Sequence, residues 1–367
     1  MVVRKAKFNE QDQIIEIANA AFRTVRPQTF DFKFIMPKAY SDNINSTSNH
    51  YVIEENNQII AVGGNIIKEI NYNNERYSYS LVGTVSTLPQ HTKKGCMKML
   101  INKIDQENRL KNVDFSLLTG RKERYNYFSY IKTGMCFSYT FDHYFIKHHQ
   151  NSNIIIRPFK DDDLDNIYDI YLKNCIIPLR KKDDMILSLM ESDSRIFILE
   201  NKEKTIGYFS FSDYKKAVHE IFLLDYNSLE KSVISIINYF SEIDEITFSP
   251  FSANLELIRT FNKFSDKKAI NDKLLVKVYH LDKFFKFVLT LNKNMIENFE
   301  KYFRIENNTY CFIVQQNNVD VYQTENDTNL INYSLEDFIE LSLGFNGLLT
   351  SLFSIPLIFD FPDPDLF

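Results

Sequence analysis

The stretch VGTVSTLPQHTKKGCMKML, residues 82–100, is the most informative part of this sequence. It begins with alternating, β-branched residues that are typical of a strand, passes through a loop marked by Pro89, and reaches two lysines and Gly95. Apolar side chains then recur at the i, i+3, i+4, i+7 spacing of a helix with one buried face, at Met97, Leu100, Ile101 and Ile104. The pattern predicts a strand, a loop and a helix that opens at Gly95.

The loop has the composition of an anion-binding site. A helix start presents backbone N–H groups that lack partners within the helix, and Lys93 and Lys94 add positive charge. Gly95 has no Cβ, so a phosphate can approach the backbone there. Since the preceding strand can offer N–H and C=O groups to an extended ligand, the features together describe a pocket for a pyrophosphate with a pantetheine-like arm. The alternative is an ordinary strand-to-helix turn without a ligand.

The order of the surrounding segments favours the binding site. A strand (residues 2–5), a helix (10–22) and a hairpin with a polar turn at 55–57 precede the loop, and a strand (113–118) follows it. In this order, and in two motifs, the chain resembles the GNAT superfamily of acetyl-CoA-dependent N-acetyltransferases.

The first motif of that superfamily is Arg or Gln, two residues, Gly, one residue, then Gly or Ala, and it corresponds to residues 92–97. The second, Tyr-x-x-x-Gly-Phe/Tyr, corresponds to residues 125–130. Thr92, Met97 and Ser129 depart from the family's residues. Thr92 removes a cation that the adjacent lysines can replace, and Met97 belongs to the apolar face of the helix.

The resemblance implies a set of site residues. Those expected to bind acetyl-CoA are Val85, Ser86, Thr87, Thr92, Lys93, Lys94, Gly95, Cys96, Met97, Lys98, Gly120 and Arg121. N–H groups at residues 85–87 would donate to the oxyanion. The family's tyrosine acid corresponds to Tyr125, and a phenol with a pKa near 10 is a suitable proton donor to the leaving thiolate. Aromatic side chains fall where the family's acceptor loop lies, and either line the substrate pocket or pack in the core: Phe30, Phe32 and Phe34.

The sequence also contains an internal repeat. VRKAKFNEQDQIIEI from Val3 and IRPFKDDDLDNIYDI from Ile156 align without gaps and pair Arg4 with Arg157. The repeat predicts two copies of one fold. Where the first copy has HTKKGC, the second has LLDYNSLEKS from Leu223, which lacks Gly and carries acids that would repel a pyrophosphate.

A third segment starts near Asp282. It is predicted to open with an apolar helix (LDKFFKFVLTL) and to continue through three short strands (TYCFIVQQ, VDVYQT and LINYS) and a helix (LEDFIELSLGF). It ends in the apolar, proline-containing run that stops at Phe367. Two GNAT-like copies followed by a small domain resemble the Eis (enhanced intracellular survival) group. The resemblance implies an α/β (α+β) fold with two tandem mixed-sheet GNAT-like domains and a small sterol-carrier-protein-like α+β domain. The predicted domains are 1–149 (catalytic, with the acetyl-CoA site), 150–281 (degenerate GNAT-like) and 282–367. It also implies that the terminal carboxylate of Phe367 enters the active site as a base, the alternative being a tail that only plugs an apolar groove.

Composition excludes several classes of protein. With 367 residues, 44% of them hydrophobic and 25% charged, the chain is predicted to be globular. Its net charge of −5 argues against a nucleic-acid partner. The four cysteines have neither paired nor metal-like spacing, so reduced thiols and no metal are predicted. Without a signal peptide or a membrane-length apolar run, the protein is expected to be cytoplasmic and without membrane attachment.

These observations predict an acetyl-CoA-dependent N-acetyltransferase whose acceptor is a primary amine of a small molecule or peptide. Two alternatives stay open. One is a double-GNAT transferase that uses another acyl donor. The other is a non-catalytic module that binds acetyl-CoA or a partner through the retained fold, an interpretation supported by Thr92 and Ser129. Assembly into a homo-oligomer also stays open.

Overall fold

The computed structural model describes residues 1–147, 152–175, 177, 179–316, 318–325, 327–344, 352–353, 357 and 359, with the backbone alone at 146, 147 and 273. The strands are β1 (Val2–Lys5), β2 (His50–Glu55), β3 (Gln58–Tyr72), β4 (Glu75–Thr87), β5 (Phe115–Leu118), β6 (Ile131–Asp142), β7 (Ile155–Pro158), β8 (Ser194–Asn201), β9 (Lys204–Ser212), β10 (Ala217–Leu223), β11 (Glu245–Phe248), β12 (Lys268–Val278), β13 (Phe299–Ile305), β14 (Asn308–Gln315), β15 (Asn318–Thr324) and β16 (Asn332–Tyr333). The helices are α1 (Gln11–Phe22), α2 (Phe32–Ile35), α3 (Pro37–Tyr40), α4 (Cys96–Leu110), α5 (Lys122–Tyr125), α6 (His143–Lys147), α7 (Leu164–Asn174), α8 (Met185–Leu189), α9 (Leu229–Tyr239), α10 (Leu255–Phe264), α11 (Leu281–Asn292) and α12 (Leu335–Leu343).

The described residues divide into two compact units, each made of segments that are distant in sequence. The first unit contains residues 1–26, 46–135 and those from 271 to 359, and the second contains 27–45 and 136–270. The division into domains at 1–149, 150–281 and 282–367 stays a prediction.

The main sheet of the first unit is mixed. Strands β1 to β4 pair in antiparallel order, β4 pairs with β5 in parallel, and β5 pairs with β12 in antiparallel fashion. The predicted polar turn between β2 and β3 is confirmed, with positive φ at Asn56 (51°) and Asn57 (63°). Asparagine tolerates this left-handed conformation better than most residues, which is why the hairpin turns there.

Helix α4 packs on this sheet through the apolar face that the sequence predicted. Leu100, Ile101 and Ile104 are each at most 1% exposed and share a cluster with Ile53 and Ile60 of the sheet. Burial of a side chain of this size contributes about 1.5–3 kcal/mol to the free energy of unfolding. The helix is therefore held by tertiary packing, and its first turn is fixed relative to the end of β4.

The third segment supplies the rest of the first unit. This segment contains helices α11 and α12 and a second mixed sheet with the strand order β15, β14, β13, β16. Within this sheet, β13 and β16 are parallel and the other neighbouring strands are antiparallel. The sequence predicts both helices and the strands β14, β15 and β16, but it does not predict β13. Its sequence, FEKYFRI, alternates weakly because both faces carry aromatic or charged side chains. The likeness of this segment to a sterol-carrier protein stays a prediction.

The second unit repeats the strand order of the first. Its sheet runs β6, β11, β10, β9, β8, β7, and only β10 and β11 are parallel, as β4 and β5 are in the first unit.

The same ion-pair arrangement occurs in both copies. An arginine on the first strand pairs with an acid just before the first helix and with an acid on the second strand. The two trios are Arg4, Glu10 and Glu54, and Arg157, Asp163 and Glu200. Their N–O distances are 2.8 and 2.7 Å in the first copy and 2.6 and 2.8 Å in the second. The repeat predicted from the sequence is therefore present in the fold, down to equivalent side-chain contacts.

Candidate functional site

In the first unit the pairing of β4 with β5 stops before β4 ends, and the space between the two strands beyond that point is called the groove here. The parallel pairing covers Tyr79–Leu81 of β4 and Phe115–Leu117 of β5. After these three residue pairs, β4 continues to Thr87 and remains paired with β3. The edge of β4 that faces away from β3 is therefore available, over its last residues, to a ligand that can pair with a strand.

A β-bulge in β4 lies at the start of this groove. It falls between the pairs Val62–Ser86 and Gly64–Gly83, and Thr84 inside it has a φ of 51°. A bulge bends the strand and increases its local twist, which turns β4 away from its neighbour. The bulge was not predicted from the sequence, because no residue type there is diagnostic of one.

Two polar groups at the end of β4 are available to a ligand, one on the backbone and one on a side chain. Leu88 donates its N–H to Ile60 O at 2.9 Å, so alternation along the strand directs the N–H of Thr87 toward the opposite edge. The Oγ of Ser86, a residue that is 4% exposed, has no hydrogen-bond partner among the described residues. Buried hydroxyls nearly always have a partner, so this one is consistent with a polar ligand.

The phosphate loop leads into an open helix start. Gly95 precedes α4 with a φ of 78°, and a Cβ placed there would meet no atom within 4 Å. Glycine is thus required by the left-handed backbone, and the space around it is free. The first intrahelical bond runs from Met99 N–H to Gly95 O at 3.1 Å, which leaves the N–H groups of residues 96–98 without an acceptor in the helix. These donors and the helix dipole suit an anion.

The lysines of the loop differ in their contacts. The ammonium of Lys94 lies 2.6 Å from the Glu55 carboxylate, and this hydrogen bond lowers the pKa of Glu55 below its usual value. Lys98 donates to Tyr127 OH at 2.9 Å. Exposed Lys93 has a φ of 66°. The positive charge that replaces the family's Arg or Gln is therefore partly balanced by Glu55, a residue that sequence analysis did not connect with the site.

Tyr125 lies at the end of α5, half-buried against the apolar cluster that Val85 and Met97 also contact. Burial raises the pKa of its phenol above the usual value, so the group stays protonated at neutral pH. Gly120 and Arg121 are exposed in the link between β5 and α5. The structure thus brings together the end of β4, the start of α4 and the tyrosine segment.

Two departures from the family motifs have structural explanations. Ser129 has a φ of 62°, the left-handed conformation that the family's glycine adopts at no cost. Thr92 is exposed, and its hydroxyl donates to Pro89 O at 3.0 Å, which ties the loop to the turn Pro89–His91. Neither departure closes the groove.

The predicted substrate aromatics belong to the second unit. Phe30 and Phe32 are buried and in edge-to-face contact, with ring centroids 5.3 Å apart, and Phe32 also contacts Tyr40. Phe34 is 63% exposed. The buried pair packs as core side chains do, and a role in binding the acceptor stays a prediction.

The predicted base, Phe367, lies outside the described residues. The last described residue, Phe359, is buried, and its ring contacts Phe115 of β5 and Phe284 of α11 with centroid distances of 6.0 and 5.3 Å. A Cβ on Gly134 would lie 2.9 Å from Phe359 O. The tail is therefore docked in the first unit at Phe359, eight positions before Phe367 in the sequence.

The second copy has no equivalent phosphate loop. Asp225 caps the turn that precedes α9, accepting from Asn227 N–H at 2.9 Å. The buried Tyr226 accepts from Asn254 Nδ2 at 2.8 Å through its hydroxyl. A bulge at His219 repeats the one in β4. The second copy keeps the strand geometry, but a carboxylate and a buried tyrosine stand where the first copy has an open helix start.

Burial raises the pKa of the Cys96 thiol, so the helix start does not activate it. No disulfide joins any two of the four cysteines, all of which lie in the described part of the chain. Among the described residues, no three His, Cys, Asp or Glu side chains are grouped so as to hold a metal ion. No helix in the described part of the chain is both long and apolar enough to span a bilayer.

Comparison with known proteins gives a family match over the first copy. Residues 2–132 match the family described as acetyltransferase (GNAT) domain. A probable N-acyltransferase of Enterococcus faecalis is similar over 100% of this chain and 94% of its own, with a TM-score of 0.65 and 15% identity. A GCN5-related N-acetyltransferase of Anabaena variabilis gives 93% and 89% coverage, a TM-score of 0.65 and 13% identity. Eis1 of Mycobacterium abscessus gives 94% and 90%, a TM-score of 0.60 and 11% identity. No curated protein sequence matches.

The family match confirms the predicted GNAT domain, and the structural likeness, which at these identities concerns the fold alone, confirms the resemblance to the Eis group at that level. The family description and the probable N-acyltransferase among the similar structures support acyl transfer as the general reaction.

Proposed function

Because residues 2–132 of this chain are a GNAT acetyltransferase domain, we propose that the protein is an acetyl-CoA-dependent N-acetyltransferase acting on a primary amine. The observation that carries the proposal is the groove between β4 and β5, which leads to an open helix start at Gly95. A strand edge for the pantetheine arm and a set of N–H donors for the pyrophosphate are what acetyl-CoA requires of a site.

The residues present fit this donor. The N–H groups of residues 96–98 would hold the pyrophosphate, with Lys93 and Lys94 adding charge. The N–H of Thr87 would donate to the carbonyl oxygen of the donor, where negative charge develops during transfer. When bound, acetyl-CoA supplies an acetyl thioester at the end of the groove.

Tyr125 would complete the site as an acid. Acyl transfer forms a C–N bond and breaks the C–S bond, so the leaving sulfur needs a proton. The raised pKa of Tyr125 keeps its proton in place at neutral pH for that step. The amine must be uncharged when it reacts, and the carboxylate predicted at Phe367 would serve as its base.

The test is release of thiol from acyl-CoA donors in the presence of a panel of small and peptide amines. We expect thiol release that depends on both acetyl-CoA and an amine and is slower with longer acyl chains. Preference for a longer acyl-CoA would favour the double-GNAT transferase with another donor. Tight binding of acetyl-CoA without amine-dependent thiol release, across small, peptide and aromatic amines, would favour the non-catalytic module.

A further inference from the structure

Two residues, Gly120 and Tyr130, pack closely against the Tyr125 ring. A Cβ added to Gly120 would lie 2.6 Å from Cε2 and 3.1 Å from Cδ2 of Tyr125, closer than such carbons pack. The Tyr130 ring stands edge-on to that of Tyr125, with centroids 6.1 Å apart and planes at 72°. The backbone adds a contact, since Tyr130 N–H donates to Tyr125 O at 3.3 Å.

The backbone conformation at residue 120 does not require glycine. Its φ lies outside the left-handed region, in contrast to Gly95 and Gly134, so an alanine could adopt the same backbone. The contact with the Tyr125 ring is therefore the reason that a side chain is excluded at this position.

Tyr130 is itself immobilised by a buried chain of polar groups. The residue is 1% exposed, and its hydroxyl lies 2.8 Å from Ser116 Oγ. Ser80 donates to Ser116 at 2.8 Å, and Asn108 of α4 donates to Ser80 at 2.9 Å. Hydrogen bonds between buried groups are strengthened by the low dielectric and are costly to leave unmade, so this network opposes displacement of Tyr130.

This network of hydrogen-bonded side chains lies where the groove begins. Ser80 and Ser116 face each other on the rung before Leu81–Leu117, where the pairing of β4 with β5 ends. The hydrogen-bond network therefore connects helix α4, the place where β4 and β5 separate, and the Tyr130 ring that contacts Tyr125. A shift of Tyr130 would change the position of the Tyr125 ring relative to the groove.

We propose that Gly120 and Tyr130 are positioning residues that set the orientation of the Tyr125 phenol at the groove. The inference rests on the acid role of Tyr125 in the proposed function. In this proposal Gly120 acts by leaving room for the Tyr125 ring. This role is separate from the backbone contact with acetyl-CoA that the resemblance implies.

A double-mutant cycle tests the proposal. Gly120→Ala should lower kcat about 10- to 100-fold, because a displacement of about 1 Å can cost that much. Tyr130→Phe, which keeps the ring and removes the anchor to Ser116, should lower kcat about 3- to 10-fold. Acetyl-CoA affinity should stay within about threefold in both, and in a Tyr125→Phe background both effects should fall below about twofold. Effects of full size in that background would overturn the proposal.

Gly63→Ala is the matched control, because its added Cβ would lie 3.5 Å from Ile104 and Leu100, an ordinary contact distance. It should leave kcat unchanged. A crystal structure of Gly120→Ala provides a readout independent of activity. We expect a displaced Tyr125 ring in an otherwise unchanged domain, and an undisplaced ring would overturn the proposal. If the wild type released no thiol from any acyl-CoA, the proposed function would fail, whereas the crystal structure would still decide whether Gly120 positions the ring.

Discussion

At the scale of single residues, the site depends on backbone conformation as much as on charge. Gly95 and Ser129 both have positive φ, at 78° and 62°, and both lie at positions where the family motifs carry glycine. At Gly95 the left-handed backbone leaves the helix start open. At Ser129 the serine accepts a less favourable backbone, which costs about 1 kcal/mol.

Gly95→Glu is expected to abolish acetyl-CoA binding. The substitution puts a carboxylate beside the N–H groups that would hold the pyrophosphate, and like charges repel there. Gly95→Ala is the control, because it has the same backbone strain of about 1–2 kcal/mol without the charge. Calorimetry should show no binding for the glutamate variant and weakened binding for the alanine variant. Equal affinities for wild type and Gly95→Glu would remove this loop from the site.

Tyr125→Phe is expected to lower kcat about 100-fold while acetyl-CoA affinity is maintained. The phenylalanine keeps the ring packing and removes the proton. Since burial raises the pKa of Tyr125, the basic limb of the wild-type kcat profile should lie at higher pH than for an ordinary tyrosine and should disappear in the variant. Tyr127→Phe, in the exposed neighbour, should keep kcat within about twofold. A Tyr125→Phe enzyme with wild-type turnover would mean that another group supplies the proton.

At the scale of elements, the two copies share the ion-pair trio that ties the first strand to the turn before the first helix. Arg4 binds Glu10 through both terminal nitrogens, at 2.9 and 2.8 Å, and Arg157 binds Asp163 in the same way, at 2.6 and 2.7 Å. The acids are nearly buried, with side chains 9% exposed in both cases. Such bidentate pairs are stronger than ordinary surface ion pairs.

Glu10→Gln and Asp163→Asn should each lower the free energy of unfolding at pH 7 by about 1–2 kcal/mol. Hydrogen bonding to the arginine lowers the pKa of Glu10 and of Asp163 below the unfolded values. The stabilisation is therefore fully present above about pH 4.5 and is lost as the pH falls through the folded-state pKa. Denaturant unfolding at pH 7 and pH 3 should show that the wild type loses this difference at low pH. A variant that stays less stable by the same amount at pH 3 would assign the effect to packing.

At the scale of the whole molecule, two copies of one fold have diverged in what their helix starts can bind. The first copy opens α4 at Gly95 without a capping side chain. In the second, Asp225 caps the turn before α9, and Tyr226 is buried beside it. Both copies keep the parallel strand pair and the bulge, so the divergence is confined to the loop.

One acetyl-CoA is therefore expected to bind per chain. Titration calorimetry of the full chain should give a stoichiometry near one, and near zero in Gly95→Glu. Asp225→Ala, which removes the acid from the loop of the second copy, should leave the stoichiometry at one because no open helix start is created. Two sites per chain in the wild type would show that the second copy also binds the cofactor.

The sequence by itself determined the features that depend on local pattern. The apolar spacing at Leu100, Ile101 and Ile104 defined the buried face of α4, and the gap-free alignment of Arg4 with Arg157 revealed the repeat. Gly95 between two lysines and a helix identified the loop. These signals are local because helix periodicity and turn chemistry are properties of neighbouring residues.

Only the tertiary structure decided what lies around those residues. The parting of β4 from β5, the bulge at Thr84 and the pairing of Lys94 with Glu55 join residues that are distant in sequence or depend on strand register. The contact between Gly120 and the Tyr125 ring arises because the segment between β5 and α5 folds back, and no residue pattern predicts this. The chemistry of the loop could be predicted from the sequence, because it depends on neighbouring residues. The geometry of the site could not, because the packing of the whole unit sets the side-chain partners across strands.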